Sequence, residues 1–389
     1  MMKFRILYLL IFSEMVFADT VTQGSWDLVS NNNVITSGLA SEADCVDLAL
    51  TQVPGNYQCR SETLITVDEQ ADEQADDDTP VPTPPSEFEG IPHPATVLGF
   101  DPYADYDIQE TFSGSYNSIN ITRSGTAEAP YVIDARNATF TKVSVRGAYV
   151  MFIGGRVNAQ AGRGDWFGMG SCDFCVAKDV DVAGPGVFSG NSSAVFLGQN
   201  TAWIGGAIHG FGDRFAESEN DFHGIKVCGP YGVDTNVFVL NARIYHNSGD
   251  SVQAGDASRC EANNVYIGGG EYFDNRENAV DIKDSHNVVV SGVTMHGFVP
   301  TNTDPGSAIV IHDDAFNARI INNTITQSRI GIVSSGVSGH EIRNNTINTV
   351  GDGNRGIECR NTTDVLISDN TIESSQPIAN SNCRGTILP

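Results

Sequence analysis

The chain has 389 residues, 40 of them Gly and only 3 Trp, and a formal charge of −26. So acidic a chain is repelled by phosphate backbones, which excludes nucleic acid as a partner. Its apolar runs are too short for a helix to span a bilayer, so no membrane partner is expected, and its length suits one large domain with a small one.

Residues 1–18 place Lys3 and Arg5 before a short apolar run that ends at Val16-Phe17-Ala18, the form of a secretory signal peptide cleaved after Ala18. A secreted protein, extracellular or periplasmic, is therefore expected. Residues 19–67 suit a small β module containing Trp26, Cys45, Tyr57 and Cys59. Its aromatics fit the core of so small a unit better than a carbohydrate platform. Residues 68–90 are dense in carboxylates and then in proline, a self-repelling, extended linker.

Residues 91–389 are a series of near-repeats. One set runs Tyr149-Val-Met-Phe-Ile-Gly-Gly, Thr201-Ala-Trp-Ile-Gly-Gly, Asn264-Val-Tyr-Ile-Gly-Gly and Asn287-Val-Val-Val-Ser-Gly. Apolar strands separated by Gly, Asn and Asp at intervals of roughly 21 to 35 residues suit one coil of a parallel β-helix per repeat. A second set runs His223-Gly-Ile-Lys-Val-Cys-Gly, Asp250-Ser-Val-Gln-Ala-Gly-Asp, Asn278-Ala-Val-Asp-Ile-Lys-Asp and Ser307-Ala-Ile-Val-Ile-His-Asp, with blander copies at Ile330 and Arg355. Strand side chains alternate between faces, so positions three and five point inward and positions two, four and six outward. Position four then forms a column of Lys226, Gln253, Asp281, Val310, Val333 and Glu358. Position six forms a second, through Cys228, Gly255, Lys283, His312, Ser335 and Arg360. The tail repeats Asn-Thr-Ile at Asn323, Asn345 and Asn370, which predicts an internal amide ladder at one corner. Eight cysteines in an exported chain predict disulfides. Proximity favours Cys45–Cys59, Cys172–Cys175 and Cys359–Cys383, leaving Cys228–Cys260.

This pattern resembles the right-handed parallel β-helix superfamily of pectate lyases, alginate lyases, polygalacturonases and phage tailspikes. The resemblance implies an all-β chain: a right-handed single-stranded parallel β-helix with a small disulfide-bonded N-terminal β module, expected to be a monomer. The copies at His223, Asp250 and Asn278 resemble the core of the family-nine polysaccharide lyases, where aspartates on two successive coils hold calcium and a lysine on a following coil is the base. His223 stands where that family has a calcium-binding aspartate, Asp250 matches, and Gln253 replaces a second aspartate. Asp281 stands at the lysine position, with Lys283 two residues on, while Lys226 fits the lysine-bearing strand on an earlier coil.

The expected function is a polysaccharide lyase that cleaves an anionic, uronic-acid polysaccharide such as pectate or alginate by β-elimination. Elimination needs a base and a positive partner for the sugar carboxylate. Lys283 or Lys226 is the expected base, with His312 one rung beyond Lys283. Asp250, Asp281 and Asp284, with Glu277 and Asp313 nearby, supply oxygens for Ca2+. Arg276, Arg259 and His223 are expected to bind substrate. Asp281 and Lys283, two apart on one strand, equally suit an ordinary surface ion pair. The alternatives are a non-catalytic glycan-binding or adhesin solenoid and, less supported, a polygalacturonase-type hydrolase. That hydrolase needs paired carboxylates, and Asn302-Thr-Asp lies too close to Asp313-Asp314.

Overall fold

The computed structural model describes residues 88–388 other than 163, 187–191, 213–220, 231, 257–258 and 302–303, together with the backbone of three N-terminal strands. The chain divides into two compact units, Met1–Asp78 and Thr79–Pro389. In the first, β1 (Ser25–Ser30) pairs antiparallel with both β2 (Asn33–Leu39) and β3 (Tyr57–Glu62). The expected signal peptide, most of the linker and the side chains of Cys45 and Cys59 lie outside the described residues.

The second unit is a right-handed parallel β-helix. Among the described residues thirty strands, β4 (Ile108–Ile121) to β33 (Gly385–Ile387), form one continuous sheet in which each strand of a coil pairs in parallel with its counterpart on the next. Three strands per coil make three long faces. The first face holds β11 (Ser192–Leu197), β14 (Phe222–Val227), β17 (Val252–Ala254), β20 (Val280–Lys283), β23 (Ser307–His312), β26 (Ile330–Ser335) and β29 (Arg355–Arg360).

The repeats fold this way because Val and Ile fill alternate positions and residues in the left-handed region, mostly Asn, Asp and Gly, turn the corners. Asn200, Asn236, Asn264, Asn287 and Asn317 have φ between 50° and 58°, a conformation that Asn tolerates better than most residues. Their amides stack from coil to coil at 3.0, 3.1, 3.1 and 2.6 Å. The expected internal ladder is present: the Asn323 and Asn345 side chains donate to Asn345 and Asn370 at 3.0 and 2.9 Å. Cys172–Cys175, Cys228–Cys260 and Cys359–Cys383 are disulfide-bonded, as the spacing predicts.

One expectation is corrected. Position two of the second repeat does not face outward. A Cβ at Gly224 or Gly331 would come 2.5 or 2.6 Å from the core methyls of Ile244 and Ile347, and Ala279 and Ala308 belong to the core. The ladder skips this position, pairing Ser307 with Ile330 and then Ile309 with Ile332. The chain bends there as it enters the first face, so two successive residues turn inward. Only a small residue fits.

A second apolar core lies outside the coils. Residues 88–106 run lengthwise over the second face, which includes β6 (Val150–Ile153), β9 (Cys175–Lys178), β12 (Thr201–Ile204), β15 (Asp234–Leu240), β21 (Val288–Ser291) and β24 (Arg319–Ile321), where Ile91, Leu98 and Phe100 pack with Met151, Val176, Phe238, Val289 and Ile321. The Phe88 ring lies against Gly269, where a Cβ would come within 2.5 Å of it. Glu89 pairs with Arg343 and accepts from Asn322 at 3.2 Å. Among the described residues no helix is long and apolar enough to cross a membrane.

Candidate functional site

Strand pairing on the first face puts Lys226, Gln253, Asp281 and Val310 in one column. Lys283 and His312 are neighbours in the next. These are the columns expected from the repeat. One carboxylate bridges the two columns. Asp281, 3% exposed, meets the Lys283 ammonium at 2.7 Å through Oδ2 and the His312 Nε2 at 2.9 Å through Oδ1. The His312 Nδ1 lies 3.1 Å from an Asp313 oxygen, so carboxylates flank both ring nitrogens. Burial opposes the imidazolium, but the hydrogen bond and charge of Asp281 outweigh it and raise the His312 pKa. Burial likewise opposes the Lys283 charge. Asp281, with Asp250 and Glu277, overrides it and holds the ammonium above its ordinary value.

Beside this bridge is a buried acidic group. His223, Asp250 and Glu277 bring a ligand atom each to within 4.8 Å of one another. Asp250 Oδ1 accepts from the Asn278 backbone N–H and side-chain amide at 3.1 and 2.8 Å. Its Oδ2 is buried without a hydrogen-bond donor and lies 3.1 Å from His223 Nδ1. The Asp250 N–H already donates to that nitrogen at 3.1 Å. One ring nitrogen cannot accept the first bond and donate the second at once, so Oδ2 is left as a buried oxygen in search of a positive partner. Burial, reinforced by the Asp250 and Asp221 carboxylates, pushes Glu277 up to about 10. Burial pushes Asp304 up to about 6, against the hydrogen bond it accepts from the Gly306 N–H at 2.7 Å.

The expected metal ligands divide between these two groups. Asp250 joins His223 and Glu277, whereas Asp281 has its oxygens on Lys283 and His312. Asp284 is half-buried beyond Lys283, outside that group, its N–H donating to the Asp313 carbonyl at 2.7 Å. The expected substrate arginines also separate. Arg276 is 1% exposed: it donates to the Ser248 carbonyl at 2.6 Å and pairs with Asp221 and Glu277. Arg259 is exposed and lies 3.5 Å from Asp256, whose carboxylate also holds the Lys226 ammonium at 2.6 Å. Lys226 thus stands two rungs from Asp281, beside the Cys228–Cys260 disulfide. Sequence reasoning passed over Asp221, Asp256 and Asp304 as members of the site. Asp221 and Asp304 lie in turns between strands, where no period marks them, and Asp256 closes the Asp250 copy at position seven, to which the repeat gave no role.

The family described as Periplasmic copper-binding protein (NosD) matches residues 223–382. No curated protein matches significantly. Among solved structures, the mannuronan C-5 epimerase AlgE4 A-module of Azotobacter vinelandii is 16% identical, with a TM-score of 0.48, over 72% of this chain and 80% of that one. The likeness is one of fold. A mannuronic-acid-specific family 6 lyase from human gut microbiota is 14% identical at 0.41, over 69% and 76% of the two chains. A GH136 lacto-N-biosidase from Eubacterium ramulus is 10% identical at 0.42, over 72% and 62%.

Proposed function

We propose that the first face binds an anionic, uronic-acid polysaccharide and cleaves it by β-elimination, in a secreted or periplasmic setting. The observation that carries this is the Asp281 bridge, which holds a lysine and a histidine on adjacent rungs of an open sheet. Elimination removes the proton beside the uronate carboxyl and expels the glycosidic oxygen across the new double bond. Lys283 is the proposed base. His312, whose proton Asp281 holds more tightly than burial alone would allow, is the proposed donor to the departing oxygen.

Asp281 also works against the base, because it stabilises the ammonium. Asp250 supplies another part of that anionic field, and Glu277 adds to it only once it loses its own proton. Their carboxylates suit calcium, and His223 adds a nitrogen suited to a softer divalent ion. Bound there, a cation would offset that charge and give the substrate carboxylate a counter-ion. Burial would then favour neutral Lys283, with His312 and Asp281 balancing each other's charge.

Incubation with a panel of polyuronates, followed by the absorbance of the new C4–C5 double bond, tests the proposal. A rise in reducing ends without that absorbance would replace elimination by hydrolysis, for which Asp304, pushed up to about 6, is the candidate acid. No change on any polymer would favour a binding solenoid.

A further inference from the structure

We propose that the same face carries a second anion-recognition site, built by Lys142 and Arg146, which holds a carboxylate-bearing sugar unit further along the polymer. This rests on the proposed action on uronate chains. The site is a cavity of about 430 Å³ lined by Lys142, Arg146, Ser118, Ser144, Asp165 and Phe196. Strand pairing joins it to the Asp281 column without a break, from Ser144 through Gly168, Phe196, Lys226 and Gln253 to Asp281. At ~4.8 Å per rung the separation is ~24 Å, so a polymer lying across the strands would reach both places.

Charge makes the cavity unusual. On a chain of net charge −26, the described basic side chains beside the Asp281 bridge are committed: Lys226 to Asp256, Arg276 to Asp221 and Lys283 to Asp281. Lys142 and Arg146 have no such partner among the described residues. The Lys142 ammonium lies 6.0 Å from the centre of the Trp166 ring, and the Arg146 Nε donates to Ser144 Oγ at 3.3 Å. The one carboxylate in the lining, Asp165, accepts from Ser193 Oγ at 2.7 Å. Two cations outside any ion pair, set against one carboxylate and among serine hydroxyls, leave an excess of positive charge that suits an anionic sugar. A Cβ at Gly168 would meet nothing within 4 Å, which leaves the floor open to a ligand. A uronate carboxylate and a sulfate ester share this chemistry. The polymer proposed for Lys283 selects the carboxylate.

The test is calorimetric binding of oligouronates of defined length in a Lys283→Ala background, which prevents turnover, with and without Lys142→Ala and Arg146→Ala together. Long oligomers should lose about tenfold in affinity per cation removed, the worth of one charge-assisted hydrogen bond. Short oligomers should bind as before, and the thermal midpoint should not move. Equal affinity for long oligomers with and without the cations would overturn the proposal, as would equal losses at both lengths. Tighter binding of a sulfated glycan than of a polyuronate would overturn the carboxylate assignment. Because the readout is binding, a length-dependent loss in a protein that eliminates nothing would sink the lyase mechanism and leave this site standing.

Discussion

Lys283 and His312 draw on one carboxylate, and what each can do depends on how its charge is shared. Lys283→Ala is expected to cost about 100-fold or more in elimination, the range of a lost general base, while polymer binding and fold persist. Lys226, tied to Asp256 two rungs away, should matter only for binding. Steady-state kinetics of the two variants decide, and the reverse pattern would move the base to Lys226. A buried histidine elsewhere sets the acid stability. His340, 1% exposed, accepts the Ala318 N–H at 2.9 Å, and burial pushes its pKa down to about 4 from 6.5. As pH falls through 6.5 the unfolded chain takes up a proton that the folded chain refuses until about pH 4. Stability should therefore drop across that window by about 3 kcal/mol and lose nothing more to this group below it. His340→Asn keeps an acceptor for Ala318 without the titration. Its urea midpoint should lack that part of the pH dependence.

At the level of strands and corners, much was legible beforehand, because a two-residue period in parallel register leaves little freedom. Once Ile225, Val252, Val280 and Ile309 are aligned as inward residues, the order Lys226, Gln253, Asp281, Val310 follows. What escaped lies where that period stops. The bend at Gly224 reverses the face of position two. Arg276, expected from the sequence to bind substrate, is sealed against Ser248 and Asp221 because the turn carries it beneath the surface. The three described disulfides were legible because their partners sit on the same or adjacent coils. The internal amide ladder carries a prediction of its own. Asn345 accepts from the Asn323 N–H and donates to the Ile320 carbonyl at 3.0 and 2.9 Å. Asn345→Ala leaves both groups buried and unpaired, and should lower stability by about 3 kcal/mol in denaturant titrations with unchanged slope. Asn370→Ala, on a less buried coil, should cost less.

For the molecule as a whole, a cation held by Asp250 and Glu277 would bind the folded state alone, so calcium should raise the thermal midpoint and a chelator lower it. An unchanged midpoint with full activity in chelator would leave only the chain's own cations to meet the substrate carboxylate. A chain beginning at Glu87 should keep its fold and its turnover on soluble substrate. Circular dichroism and the double-bond assay check this. The segment over the second face gives that starting point its meaning. Coils of a solenoid touch only their neighbours, so such a molecule can fray from an end and unravel one turn at a time. Residues 88–106 contact coils from Met151 to Ile321 at once, and an end coil cannot leave without loosening contacts that span the middle. The protein should therefore melt as one cooperative block, with amide exchange protection even along its length. A chain starting after Gly99 should instead show protection that declines toward its ends.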